Sequence, residues 1–395
     1  MLRLLTIAGT RPEAIKLAPL ALAAAARPGI DHRLVATGQH GALFHDALAA
    51  FHVAADADMR LLVQGQSIEA LAALVGEGVA RAIADVRPHV LLVQGDTTSA
   101  WAAARAAYAL GVPVGHIEAG LRSGDMASPW PEERNRVEID ALATLLFAPT
   151  HGAAANLAGE PGIAGEVAVT GNTGIDALLA IHARPPAPAI RPGARRLILA
   201  TTHRRENIGA GIAGICAALR ALARRPDVDI VLPVHPNPAV QAQILAALSG
   251  CARIDLPPAL DYPAMVRLMA RAHLILSDSG GVQEEAPALG VPLLVLRENS
   301  ERPEVLESGN ARLVGTDPAR ILAAAEAILD DPAAHAAMAR PAFPYGRGDA
   351  AERILDAIED WHAARSAGAL AVATPASTLA IARPLAQGSA AKGQE

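Results

Sequence analysis

At 395 residues the chain is long enough for two domains with separate cores. A net charge of −6 argues against the basic stripe that a nucleic-acid partner requires. Cys216 and Cys251 stand singly, with no CxxC and no His/Cys ligand spacing, so neither a disulfide framework nor a zinc site is suggested and a reducing compartment is expected. The apolar opening, Met1 to Ile7, is too short for a secretory signal before Arg11, and the uncharged run Leu17 to Ala26 falls well short of the ~20 residues that span a bilayer. A soluble cytoplasmic protein with no membrane partner is expected.

In chain order, residues 2–8 read as a strand, Gly9-Thr10-Arg11-Pro12-Glu13 as its turn and 14–26 as a helix. Pro12 suits a first helical turn, so Arg11 and Lys16 straddle a helix start at the carboxyl end of a strand, where open α/β sheets bind ligands. Only Lys16 and Lys392 among the basic residues are lysine. A compact ammonium serving phosphate as a point charge would account for Lys16; chance retention is the alternative. Strand 32–37, helices 42–51 and 68–84, and strand 90–93 follow. Gln94 to Ser99 then sets Asp96 and small hydroxyls before an Ala-rich helix.

Strand 112–117 delivers His116 and Glu118 to the same edge. Glu118 directly follows a buried strand and reads as functional. Arg122, Asp125, Glu133 and Arg136 read individually as solvated surface charges. Strands 145–148 and 167–170 complete the first sheet, and the proline-rich 184–193 reads as a linker.

A second alternation begins with strands at 197–200 and 230–234, the turns at His203 and His235, and helices at 211–224 and from 239. It continues through strand 253–256, helix 263–271, strand 274–276, helix 282–289 and strands 293–296 and 312–314. Between 276 and 282, Asp278-Ser279-Gly280-Gly281 sets a tight turn before a helix N-terminus, where free N–H groups and the absence of Cβ atoms favour an anion. A plain turn capped by Ser279 is the alternative. Helices 318–329, 333–338 and 350–365 end the regular structure, and 366–395 reads as a disordered tail.

The repeated plan predicts an α/β protein of two Rossmann-like domains, each a doubly wound parallel sheet, facing across a cleft. The expected divisions are 1–172 and 173–349, with helix 350–365 packing back on the first. Neither half carries GxGxxG with a ribose-binding acid, nor a Walker lysine, so no nicotinamide or ATP-splitting site is indicated. A cleft holding Arg11, Lys16, His203, Ser279-Gly280-Gly281 and Arg302 suits a diphosphate, with Asp96, Glu118 and Glu132 facing it from the first domain.

Gly9-Thr10-Arg11-Pro12-Glu13, Gly95-Asp96-Thr97-Thr98, Gly115-His116-Ile117-Glu118, Ser128-Pro129-Trp130-Pro131-Glu132-Glu133, Thr170-Gly171-Asn172-Thr173, His203-Arg204-Arg205-Glu206-Asn207, Pro233-Val234-His235-Pro236, Ser277 to Pro287 and Glu301-Arg302-Pro303-Glu304 stand in the order found in one family. Over roughly residues 2–360 the chain resembles the non-hydrolysing UDP-N-acetylglucosamine 2-epimerases. The resemblance implies a GT-B-like fold, no metal or cofactor, a homodimer, and interconversion of UDP-GlcNAc and UDP-ManNAc. Arg11, Lys16, His203, Ser279, Gly280, Gly281, Glu285 and Arg302 match positions that hold UDP, and His235 stands in a motif assigned to substrate binding. Asp96, Glu118 and Glu132 match the proton-transfer carboxylates, and His203 is counted with them among the catalytic groups. Leu260 and Met265 replace a Gln and a Phe common in the family. Ala42 and Asp46 replace the glutamines of members activated by UDP-GlcNAc, so that allostery is not expected in the same form. The rival readings are an epimerase for another UDP-2-acetamido sugar, a GT-B glycosyltransferase, against which the three carboxylates argue, and a non-catalytic nucleotide-sugar sensor, which would not need both Asp96 and Glu118.

Overall fold

The computed structural model describes residues 1–61, 65–127, 129–185 and 195–366. The expected linker lies largely outside these residues, and the expected tail lies outside them from residue 367. The first half runs β1 (Leu2–Ala8), α1 (Arg11–Ala25), β2 (Ile30–Ala36), α2 (Ala42–Ala49), β3 (Ala57–Asp58), α3 (Ile68–Val86) and β4 (Val90–Gln94). It continues with α4 (Thr98–Ala109), β5 (Val114–Ile117), α5 (Glu132–Leu142), β6 (Leu145–Ala148), α6 (His151–Gly159) and β7 (Glu166–Val169), after which α7 (Thr173–His182) leads to the second half.

The second half holds β8 (Arg196–Thr201), α8 (Ala210–Leu222), β9 (Val228–Val231), α9 (Pro238–Leu248), β10 (Ile254–Asp255), α10 (Tyr262–Arg271) and β11 (Leu274–Ser277). Then come α11 (Gly280–Ala288), β12 (Leu293–Val295), α12 (Pro303–Glu307), β13 (Ala311–Leu313), α13 (Pro318–Asp330), α14 (Pro332–Met338) and α15 (Ala350–Ser366).

Two parallel sheets result, ordered β3-β2-β1-β4-β5-β6-β7 and β10-β9-β8-β11-β12-β13. Their central strands are buried on both faces, as Val90, Leu91, Leu92 and Val93 of β4 and Leu274, Ile275 and Leu276 of β11 show. Strand order reverses between β1 and β4 in one sheet and between β8 and β11 in the other. A reversal opens a crevice at the carboxyl ends of the strands. The two crevices receive the turns at Gly9 and Gly95, and those at His203 and Ser279. Helix starts are fixed by side chains from the preceding turn: Thr97 accepts from the Ala100 N–H at 3.0 Å and Asp261 from the Ala264 N–H at 2.7 Å.

Short elements depart from the sequence reading. β3 exists through its pairing with Val35 and Ala36 of β2, a tertiary event with no local signal. α6 and α12 are brief, and α11 begins at Gly280 rather than at Val282 because its glycines form the first turn.

α7 joins the halves. Its buried Ile175, Leu178 and Ile181 share one apolar core with Leu17 and Leu20 of α1, Ile354 and Ile358 of α15, Val266 and Met269 of α10 and Val282 and Ala286 of α11. α15 returns across the first half, where Arg27 pairs with Glu352, Asp356 and Glu359. Among the described residues no helix is long and apolar enough to cross a membrane.

Candidate active site

The first wall is set by a buried carboxylate. Glu13, in the opening turn of α1, accepts the N–H groups of Gly9 and Thr10 at 3.1 and 2.7 Å. Its other oxygen accepts the Thr97 hydroxyl at 2.9 Å, so one side chain binds the starts of α1 and α4 together. Gly9 must lack a side chain, since a Cβ there would stand 2.2 Å from Thr37 Oγ1. Arg11 and Lys16 leave this turn toward the second half. The Arg11 guanidinium donates across the cleft to the Leu260 carbonyl at 2.7 Å.

Lys16 pairs with Glu118, and with Glu284 at 3.2 Å. Burial alone would lower its pKa, but the two carboxylates outweigh that and hold the ammonium charged. Glu284 also accepts from Arg302 Nε at 2.8 Å and from the Asn172 amide at 3.2 Å. Arg302 pairs in addition with Glu301, and stands 3.9 Å from Glu118. Two cations thus meet three carboxylates at the seam of the halves. Arg297 at 2.8 Å and Arg204 at 3.5 Å from Glu301 complete the balance.

Glu118 has φ +72°, a left-handed backbone rare outside glycine and asparagine and strained by about 1–3 kcal/mol. Its carboxylate also accepts the Gln94 amide at 2.6 Å. Asp96, following Gly95 at φ +66°, pairs with Arg136 of α5, and its carbonyl accepts the Asn135 amide at 2.9 Å. Arg136 also binds Glu133 at 2.7 Å. Arg136 and Glu133 are buried and Arg122 is half-buried, which corrects their reading as solvated surface charges. They pack because the loop after Glu118 folds back under α5 instead of running over the surface. Asp125 is exposed. The side chain of Glu132, half-buried at the start of α5, makes no hydrogen bond or ion pair among the described residues.

In the second half Asp278 organises the turn after β8. It accepts the Thr202 hydroxyl at 2.8 Å, the Arg204 N–H at 3.1 Å, the Asn207 amide at 2.9 Å and the His203 N–H, and His203 Nδ1 lies 3.2 Å away. Burial would raise the Asp278 carboxyl, but these donors and His203 hold it down to about 2. His203 stacks on His235 with ring centroids 5.5 Å apart. The Ser279 side chain makes no hydrogen bond to the first turn of α11, leaving the N–H groups of Gly280 and Gly281 to the cleft. Glu285 accepts the Tyr262 hydroxyl at 2.9 Å, and burial beside Glu284 pushes it up to about 8. Among the described residues no group of His, Cys, Asp and Glu side chains could hold a metal ion.

The chain matches the profile of UDP-N-acetylglucosamine 2-epimerase over residues 22–359. A relative from Ralstonia nicotianae is 45% identical over 92% of this chain and 100% of its own length. The UDP-N-acetylglucosamine 2-epimerase of Escherichia coli K12 is 41% identical over 91% of this chain and 99% of its own. This chain belongs to the UDP-N-acetylglucosamine 2-epimerase family. Its fold is that of the solved members: the Neisseria meningitidis UDP-GlcNAc 2-epimerase, bound to UDP-GlcNAc, superposes with a TM-score of 0.85 at 37% identity, covering 91% of this chain and 100% of that one.

In this member of the epimerase family, Lys16 pairs with Glu118 and Arg302 stands 3.9 Å from the same carboxylate, while Arg11 reaches Leu260 from the same wall. His203 and His235 form a stacked pair, and Asp96 sits in the Arg136 niche rather than in contact with Glu118. Sequence reasoning missed Glu284, which joins Lys16 to Arg302. Residues four apart share a helix face, so Gly280 and Glu284 look one way while Gly281 and Glu285 look another, but that spacing does not say which face meets Lys16 and Arg302. A Cβ on Gly280 would stand 2.8 Å from the Arg302 guanidinium that Glu284 holds.

Proposed function

We propose that this chain interconverts UDP-GlcNAc and UDP-ManNAc. A carboxylate removes the C2 proton, the C2–H electrons become the C1–C2 double bond, and the C1–O bond breaks to release UDP. The resulting 2-acetamidoglucal stays bound, and re-addition of UDP with protonation on the opposite face of C2 completes the inversion. The observation that carries this reading is Glu118, whose carboxylate, on a left-handed backbone, is paired with Lys16 and near Arg302 at the seam of the halves. Cations that stabilise a departing diphosphate and an acid that moves a proton are thereby adjacent.

Asp96, Glu118 and Glu132 are assigned to proton transfer, with His203 beside the leaving group. Arg11, Lys16, Arg302, Ser279, Gly280 and Gly281 take the diphosphate, His235 supports it through His203, and Glu285 takes the nucleoside. The domains divide at 172/173, and helix 350–365 belongs with the first. We also infer a homodimer, as the family implies, working in the cytoplasm, a placement supported by free thiols at Cys216 and Cys251.

Proton NMR of the protein with UDP-GlcNAc in D₂O tests the reaction: deuterium enters C2 as UDP-ManNAc appears. A glycosyltransferase would show neither, and an epimerase for a different UDP-2-acetamido sugar would exchange that sugar instead. Lys16→Ala is expected to weaken UDP binding roughly tenfold or more by calorimetry, the loss of a charge-assisted hydrogen bond. An unchanged affinity would remove Lys16 from the phosphate site.

A further inference from the structure

His116, on β5, is fully buried and takes no part in the reaction as assigned above. Its Nε2 lies 2.8 Å from the Gly95 carbonyl, which can only accept, so Nε2 carries a proton. Its Nδ1 lies 2.5 Å from Asp140 Oδ1. The other Asp140 oxygen accepts the Gly120 N–H at 3.1 Å and pairs with Arg122 Nη1 at 2.7 Å, and Arg122 is held in turn by Glu160 at 2.5 Å. Burial would raise the Asp140 carboxyl, yet His116 and Arg122 outweigh it and keep the group ionised. The ring is thereby held from both sides, by the Gly95 carbonyl and by Asp140, in a site closed to water.

The position of this hydrogen-bonded pair gives it a use. Gly95 is gripped twice, its carbonyl by His116 and its N–H by the Ile117 carbonyl at 3.0 Å, and Asp96 is the next residue. Asp140 holds Gly120 and Arg122, the far side of the turn that begins at Glu118. We propose that the His116–Asp140 pair is a positioning device that locks the two turns carrying Asp96 and Glu118 at a fixed separation. This rests on the assignment of those carboxylates to proton transfer. His116 touches no substrate; it acts through the Gly95 peptide, and Asp140 through the Gly120 peptide.

His116→Gln keeps a donor of similar reach but cannot serve the Gly95 carbonyl and Asp140 together. The expected result is a fall in kcat of roughly 10²-fold, the scale of a 1 Å misplacement, with KM and UDP affinity within a few-fold of the parent. Wild-type turnover in this variant, or a parallel collapse of UDP binding, overturns the proposal. Nitrogen-15 spectra of histidine-labelled wild-type protein at neutral pH need no variant. They are expected to show His116 Nε2 protonated and hydrogen-bonded to the Gly95 carbonyl, and a bare Nε2 overturns the proposal. If the wild type itself exchanged no C2 hydrogen, the epimerase reading would fall, while the nitrogen spectrum would still decide the His116–Gly95 contact.

Discussion

Glu118→Gln is expected to cut turnover by roughly 10²-fold or more while UDP still binds, because an amide of the same shape cannot accept the C2 proton. The size is preserved, so Gln94 and the surrounding wall keep their contacts. Lys16 retains Glu284 at 3.2 Å and Arg302 retains Glu284 and Glu301, so the diphosphate site stays charged. Asp96→Asn is expected to behave alike, with Arg136 still held by Glu133 at 2.7 Å. Rates from NMR exchange and UDP affinity from calorimetry separate the two functions. Near-normal exchange in either variant would remove that residue from proton transfer, and lost UDP affinity with proportionate loss of rate would make its role electrostatic.

The second large effect concerns stability. Arg302→Met removes a cation that faces both Glu284 and Glu301, leaving Glu284 to Lys16 alone and Glu301 to Arg297 and Arg204, at a cost of roughly 3 kcal/mol at pH 7, the low end for a broken buried pair because other cations remain. In the parent, burial would raise both acids, but Lys16 and Arg302 hold Glu284 down and Arg302, Arg297 and Arg204 hold Glu301 down. Carboxyls depressed in the folded state contribute stability above their unfolded value of ~4.3, and that contribution fades as pH falls toward the folded value. The variant's acids lose the Arg302 part of this depression and take up protons sooner, so the difference between parent and variant shrinks below about pH 4. Urea titrations at pH 7 and pH 4 check this. A deficit under about 1 kcal/mol at pH 7, or one that is constant with pH, would show that the cluster is not electrostatically coupled.

Much of this architecture was legible in the chain. The apolar runs at Val90 and Leu274 could only be strands buried on both faces, and turn residues at their carboxyl ends marked both crevices. Lys16 stood out because the chain otherwise uses arginine, and Glu118 because it follows such a run directly. What local pattern could not supply was partnership at a distance. Glu133 and Arg136 look like any exposed helical pair until Asp96, from another strand end, is brought beneath them. Glu284 and Glu285 are chemically identical neighbours, and only the rotation of α11 against the seam decides which one meets Lys16 and Arg302. The Arg11 contact to Leu260 likewise depends on how far apart the two sheets sit.

α7 has a consequence for motion. Because its apolar side chains are interleaved with helices from both sheets, the two lobes share one continuous core at this margin. A movement of one lobe against the other has to pivot about α7 or break that core.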